Sequence, residues 1–323
     1  MENLCAFVSS RGIAKACDVR NARLISGSDH LKFDDFSDSR LKADEFVSIY
    51  LCTNSIQSFF DQYYDSLPSQ FTLVTGDSDQ PLSEAFLDRF GFYKILIEDV
   101  RLKAWYAQNL SAKHEKLKFL PIGLDLHTVW ERPGIYEKET SSPLKQQSDL
   151  FNILSKSKCN QERLFGAYCD WCLSCDRGDR IECLTQIDRS FCVFETKRLE
   201  RTKCWENQSK FCFIVSPEGV GVDCHRTWEA IALGVIPIIK KNPITSIFDD
   251  LPVIIVDHWS EVNKENILNC YSKLYTKKFN YEKLFLEFWR SAVNWRNRNI
   301  RDSRFENKDF FKLTISEYLN LYK

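Results

Sequence analysis

The chain has almost no net charge: 44 Lys and Arg stand against 45 Asp and Glu, leaving −1. That balance offers no bulk electrostatic case for nucleic acid or an anionic membrane as partner. No uncharged apolar run approaches the roughly 18 residues that would cross a bilayer, so no membrane span is expected. The opening residues, Met1-Glu2-Asn3-Leu4-Cys5, lack the basic stretch and apolar stretch of a secretory leader. Fixed-period repeats and low-complexity segments are also missing. Cysteine, by contrast, is plentiful. There are 13, an odd number, and Cys52, Cys192 and Cys212 sit inside apolar runs. Buried free thiols behave as small hydrophobes, so this usage predicts a reducing, cytoplasmic compartment and no disulfide framework.

The length, 323 residues, predicts two domains. Strand-like and helix-like runs alternate, which predicts parallel sheets covered on both faces. Phe46–Cys52, Phe71–Thr75, Tyr93–Ile97 and Leu117–Ile122 are expected strands. Asn54–Ser66 (with Asn54 as N-cap), Ser83–Phe90 and Arg101–Leu110 are expected helices. After an interruption rich in Pro, Ser, Thr and Lys, the rhythm restarts. Strands are expected at Leu164–Cys169, Phe191–Phe194, Phe211–Val215, Val235–Ile239 and Val253–Val256. Helices are expected at Asp179–Gln186, Lys197–Gln208 and Cys224–Leu233. The organisation is therefore a domain over 1–130, a linker over 131–150, a second domain over 151–300 and a terminal helix over 301–323. Ligands of open α/β sheets lie outside the carboxyl ends of the strands, so the loops after Val74 and Val215 matter most.

One loop carries the strongest pattern. Ser216-Pro217-Glu218-Gly219-Val220-Gly221-Val222-Asp223 lies between an expected strand and an expected helix. Glycines there allow close backbone approach, and amides at a helix start suit an anion such as a diphosphate. On the helix, His225, Arg226 and Glu229 share one face, while Cys224, Trp228, Ile231 and Ala232 form the apolar one. A cation at the helix start suits a diphosphate, and a carboxylate one turn on suits ribose hydroxyls. The bland alternative is a tight turn with Arg226 paired to Glu229 on a solvated face.

The segment from Phe211 to Val262 resembles the C-terminal donor-binding segment of the exostosin-like glycosyltransferases, which have the GT-B fold. Two upstream blocks, Arg101 to Asn109 and Leu120 to Thr128, resemble the soluble viral and microbial branch of that family, which includes the chlorovirus capsid-glycan xylosyltransferase. The resemblance covers about half the chain and leaves the first 45 residues unmatched. It implies two Rossmann-like domains whose parallel sheets face a central cleft. It further implies a nucleotide-sugar donor, UDP-linked and conceivably UDP-xylose, held by the second domain. Glu229 would bind the ribose, Arg226 and His225 would face the diphosphate or sugar, and Ser216, Gly219 and Thr227 would line the phosphate loop. Asp223 belongs to the same loop. Arg177 and Arg180 would help neutralise the diphosphate.

An inverting transferase needs a carboxylate near the acceptor hydroxyl. Thr75-Gly76-Asp77-Ser78-Asp79 ends a strand of the first domain and offers Asp79 first and Asp77 second, against the plainer reading of a hydrated turn. Asp125 and His127 are further contacts for sugar or acceptor. The DxD letters of Asp77-Ser78-Asp79 fall on the acceptor side, so a metal-independent reaction with no cofactor is expected. Cys169, Cys172, Cys175 and Cys183 have poor spacing for zinc, and no metal ligand is assigned to them. The expected partners are the donor and a carbohydrate acceptor. A catalytically inactive nucleotide- or glycan-binding module of the same fold remains the rival reading.

Overall fold

The computed structural model describes residues 1–33, 46–67, 70–132, 134, 137–172, 176–294 and 312–323. The chain is α/β, built on two five-stranded parallel sheets. In the first, β1 (Val19–Arg20), β2 (Phe46–Cys52), β3 (Gln70–Gly76), β4 (Leu102–Ala107) and β5 (Leu117–Phe119) lie side by side in chain order. In the second, β6 (Leu164–Cys169), β7 (Cys192–Phe194), β8 (Phe211–Val215), β9 (Ile236–Lys240) and β10 (Ile254–Val256) lie in the order 10-9-8-6-7. The second sheet therefore reverses direction between β6 and β8. At such a switch point the two following loops diverge and leave a crevice. The sequential first sheet has no switch point.

The helices that matter here are α1 (Ser10–Ala16), α2 (Ile56–Tyr63), α3 (Glu84–Leu87), α4 (Tyr93–Glu98), α5 (Thr128–Glu131) and α6 (Pro143–Lys156). They are followed by α7 (Arg180–Gln186), α8 (Arg201–Gln208), α9 (His225–Ala232), α10 (Lys264–Tyr275), α11 (Leu286–Val293) and α12 (Ile315–Asn320). One face of the first sheet closes on α2, α3 and α4 through Ile49, Phe59, Leu73, Leu96 and Trp105. Its other face, through Tyr50 and Val74, joins a core continuous with the second sheet. Residues 5–17 and 120–126 fill the space between.

Several expectations change. Tyr93–Ile97, read as a strand, is helix α4, and Arg101–Leu110, read as a helix, holds strand β4. Asn54 does not cap α2; it lies within a short 3-10 turn, and its Oδ1 accepts from Ser78 Oγ at 2.5 Å. The linker is shorter than 131–150. Ser142 caps α6 with Pro143 in its first turn, so that helix starts inside the expected linker. Phe279–Asn280 and Lys312–Leu313 pair as antiparallel strands. Much of 301–323 lies outside the described residues. Its described helix, α12, packs on the second unit: Tyr318 Oη donates to Ala232 O, and Leu319 sits against Gly234. Helix α11 reaches the first unit, where Arg290 donates to Asn3 O. Just after it, Asn294 Nδ2 donates to Ala16 O and its Oδ1 accepts from Ser48 Oγ.

Candidate active site

At the β6–β8 switch point Arg226 Nε lies 3.2 Å from Asp170 Oδ1. Arg226 Nη1 donates to Ser216 Oγ at 3.3 Å and to Pro217 O at 3.2 Å. Arg226 is thus held by the residue that ends one strand and the loop that follows the other. The Arg226–Glu229 pair on a solvated face does not form. Glu229 is buried and turned inward. Its Oε1 accepts from Arg201 Nη1 at 2.9 Å and its Oε2 from Trp205 Nε1 at 3.1 Å. Arg201 also pairs with Asp125 at 2.7 Å, tying α8 to the segment that leaves the first sheet. Burial by itself would raise Asp125, but Arg201, with His127 and His225, holds its carboxyl well below the usual carboxylate range. The same two carboxylates hold the buried Arg201 firmly charged, against the effect of burial.

His225, Arg226 and Glu229 do face one cavity, of about 250 Å³, together with Asp125, Asp170 and Arg201. A second cavity of about 300 Å³ lies at the end of β3. Asp77, Asp79, His127 and His225 line it. His225 belongs to both cavities. Its Nδ1 lies 2.7 Å from Gly123 O, and a carbonyl only accepts, so Nδ1 carries a proton and Nε2 is not engaged by that bond. His127 stands beside it, ring centroids 6.1 Å apart. Burial pushes His127 down to about 4 against the pull of Asp125, so the ring is neutral at pH 7.

The two carboxylates after β3 differ. Asp77 is buried, pairs with Arg11 at 2.9 Å and accepts from Ser26 Oγ at 2.8 Å. Its backbone has φ of +56°, a region that Asp tolerates better than most residues. Burial raises its pKa in spite of Arg11. Asp79 is exposed and, among the described residues, makes no hydrogen bond or ion pair, so its carboxylate is available to a ligand.

The Gly-rich loop is packed tightly. Gly178 has φ of +58°, and a Cβ there would fall 2.3 Å from Gly219 O. A Cβ on Gly219 would stand 3.5 Å from Arg180 Nη2, so Arg180 lies against the loop. Arg177 is exposed and lines neither cavity. Ser216 and Thr227 hydroxyls bond each other at 2.9 Å beneath the loop. Asp223 is engaged in hydrogen bonds within the protein. Its carboxylate accepts from Trp228 Nε1 at 2.9 Å and from Ile122 N at 2.8 Å, a bond between the two units. Burial pushes it up to about 6.

Arg11, Asp170, Arg201 and Trp205 went unnoticed in the sequence. Only Asp170 had a signal, its place directly after a strand that enters the switch point. Of the cysteine group, Cys169 and Cys183 are buried and Cys172 is exposed, while Cys175 lies outside the described residues. Among the described residues no three His, Cys, Asp or Glu side chains are grouped as metal ligands would be.

Fold and site together define a two-unit α/β protein of Rossmann-like architecture with a polar cleft where the units meet. Among the described residues no helix is long and apolar enough to cross a membrane. A scan against models of known protein families matches none, and a search of curated proteins finds no match either.

Proposed function

We propose that the protein is a glycosyltransferase of GT-B type, moving a sugar from a nucleotide-diphosphate donor, UDP-linked, to a carbohydrate acceptor with inversion. The observation that carries this reading is the convergence on one cleft of two unlike half-sites. On one side stand Glu229 and, at the start of α9, His225 and Arg226, the latter bonded to Ser216 and Pro217 of the Gly-rich loop, at a sheet switch point. Across His225, on the other, stands the unpaired carboxylate of Asp79.

In this reading Asp79 takes the proton of the acceptor hydroxyl as its oxygen attacks the anomeric carbon. The bond to the diphosphate breaks, and the leaving oxygen gains negative charge. The amides at the start of α9, with Arg226 and Arg180, stabilise that charge in a partly dry site. Glu229, held rigid by Arg201 and Trp205, fixes the ribose. His225 presents Nε2 to the sugar.

Thermal shift with UDP, GDP, CMP and their sugar conjugates tests the donor half. A ligand that binds only the folded chain raises its Tm with concentration. We expect a shift with one nucleotide class, weakened in Arg226→Ala and Glu229→Gln. Glu229→Gln is preferred to Glu229→Ala because Gln still offers an acceptor to buried Arg201. No shift with any nucleotide would sink the donor site. A shift without transfer to any glycan offered would favour the inactive binding module.

A further inference from the structure

A groove of about 540 Å³, larger than either cavity of the cleft, runs beside α1 on the first unit. Among the described residues Arg11, Lys15, Arg20, Arg23 and Arg132 line it, against the single carboxylate of Glu131. Two of the five cations are already compensated. Arg11 pairs with Asp77 and Glu131, and Lys15 with Glu2. Among the described residues the guanidinium groups of Arg20, Arg23 and Arg132 make no ion pair or hydrogen bond. Arg11 is almost wholly buried, yet its Nε finds no hydrogen-bond partner among the described residues. A buried guanidinium donor without an acceptor is costly.

The groove is continuous with the cleft. Ser26 and Arg132 belong to the walls of both this groove and the Asp77–Asp79 cavity. Arg132 is near enough to Asp77 to favour its charged form. Three uncompensated guanidinium groups around one concavity repel each other, and a multiply charged oxyanion relieves that repulsion. Planar guanidinium forks also match the paired oxygens of such a group.

We propose that this groove binds a phosphate or sulfate ester and that Arg20, Arg23 and Arg132 hold it. Resting on the function proposed above, the ester is carried by the acceptor glycan, which reaches from the groove to Asp79. The anion site itself does not depend on that reading.

Calorimetric titration of the full chain tests it. The probes are sucrose octasulfate and inositol hexakisphosphate, with sucrose and inositol as neutral counterparts. One saturable site for a charged probe is expected, and none for the neutral ones. The double variant Arg20→Ala/Arg23→Ala, and separately Arg132→Ala, should weaken it about tenfold or more. Lys277→Ala/Lys278→Ala, a basic pair elsewhere on the surface, and Glu229→Gln should leave it unchanged. Whichever charged probe binds more tightly identifies the ester. Absence of saturable binding, or equal weakening by the Lys277/Lys278 pair, overturns the proposal. If the charged probe binds as expected but no nucleotide shifts the Tm, the anion site stands and its assignment to an acceptor falls. If a nucleotide binds and the charged probe does not, the donor reading stands and the groove proposal falls.

Discussion

Asp77 and Asp79 stand two residues apart and have opposite surroundings, and that difference decides which can act as a base. Asp77 is buried and spent on Arg11 and Ser26. Asp79 faces the cleft with its carboxylate open. Asp79→Asn should lower kcat about 100-fold or more, the usual worth of a general base, with Tm unchanged. Asp77→Asn should do the reverse. It leaves buried Arg11 with only the more exposed Glu131, and removing one partner of a buried pair costs about 3–5 kcal/mol. Chemical denaturation and steady-state rates on both variants separate the two roles. A fall in kcat for Asp79→Asn no larger than for Asp77→Asn would remove Asp79 as the base. The sequence led to this loop because Gly and Asp follow an evident strand. It gave no sign that Arg11, 66 residues upstream, would neutralise one of the two carboxylates. Ion pairs across such distances depend on the packing of α1 against the sheet, which no local pattern encodes.

Among the elements, the strand ends were the most legible. β3 and β8 are apolar-rich runs that end in turn residues, and their ends place the two loops that matter. The exchange at 93–110 shows where periodicity fails. Tyr93–Glu98 is short and β-branched in part, yet it buries only Leu96 and Ile97 on one side, a helical arrangement. Leu102–Ala107 contains helix-favouring Ala and Lys. As a strand it sits between β3 and β5, where Trp105 is buried and donates to Thr75 Oγ1 at 3.0 Å. Tertiary burial outweighs local preference there. The Gly-rich loop owes its shape to a residue outside the motif. Gly178, at φ of +58°, lets the turn after β6 press against Gly219. Gly178→Ala should therefore move the loop, since a Cβ would meet backbone oxygen at 2.3 Å. We expect a lower Tm, with nucleotide affinity reduced more than in Arg177→Ala, whose side chain is exposed. Parallel thermal-shift titrations compare the two, and equal affinities would detach the Gly178 turn from the donor site.

At the scale of the whole molecule, the two units are joined by polar bonds as well as by apolar core, and one of these bonds titrates. Asp223 accepts from Ile122 N of the first unit and from Trp228 Nε1 of the second. Asn109, at φ of +52°, braces the same junction: its Oδ1 accepts from Asp223 N and its Nδ2 donates to Ser78 O. Burial pushes Asp223 up to about 6, above its value in an unfolded chain. The folded protein therefore binds the proton more tightly. The stability this contributes is full below about pH 4 and is lost as pH rises through about 6. His127, pushed down by burial to about 4, has the opposite sign. Its contribution is present above about pH 6.5 and is lost as pH falls through about 4. The two occupy one window and offset each other, so these groups together leave the wild-type Tm nearly flat between about pH 4 and 6.5. Removing either one exposes the other. The Tm of Asp223→Asn relative to wild type should rise as pH goes from about 4 to 6.5 and level off above. The Tm of His127→Gln relative to wild type should rise as pH falls across the same range. Melting curves at half-unit pH steps read both slopes. Two parallel, pH-independent offsets would mean that neither buried group is linked to folding, and the Asp223 junction would then be a constant latch between the units with no dependence on pH.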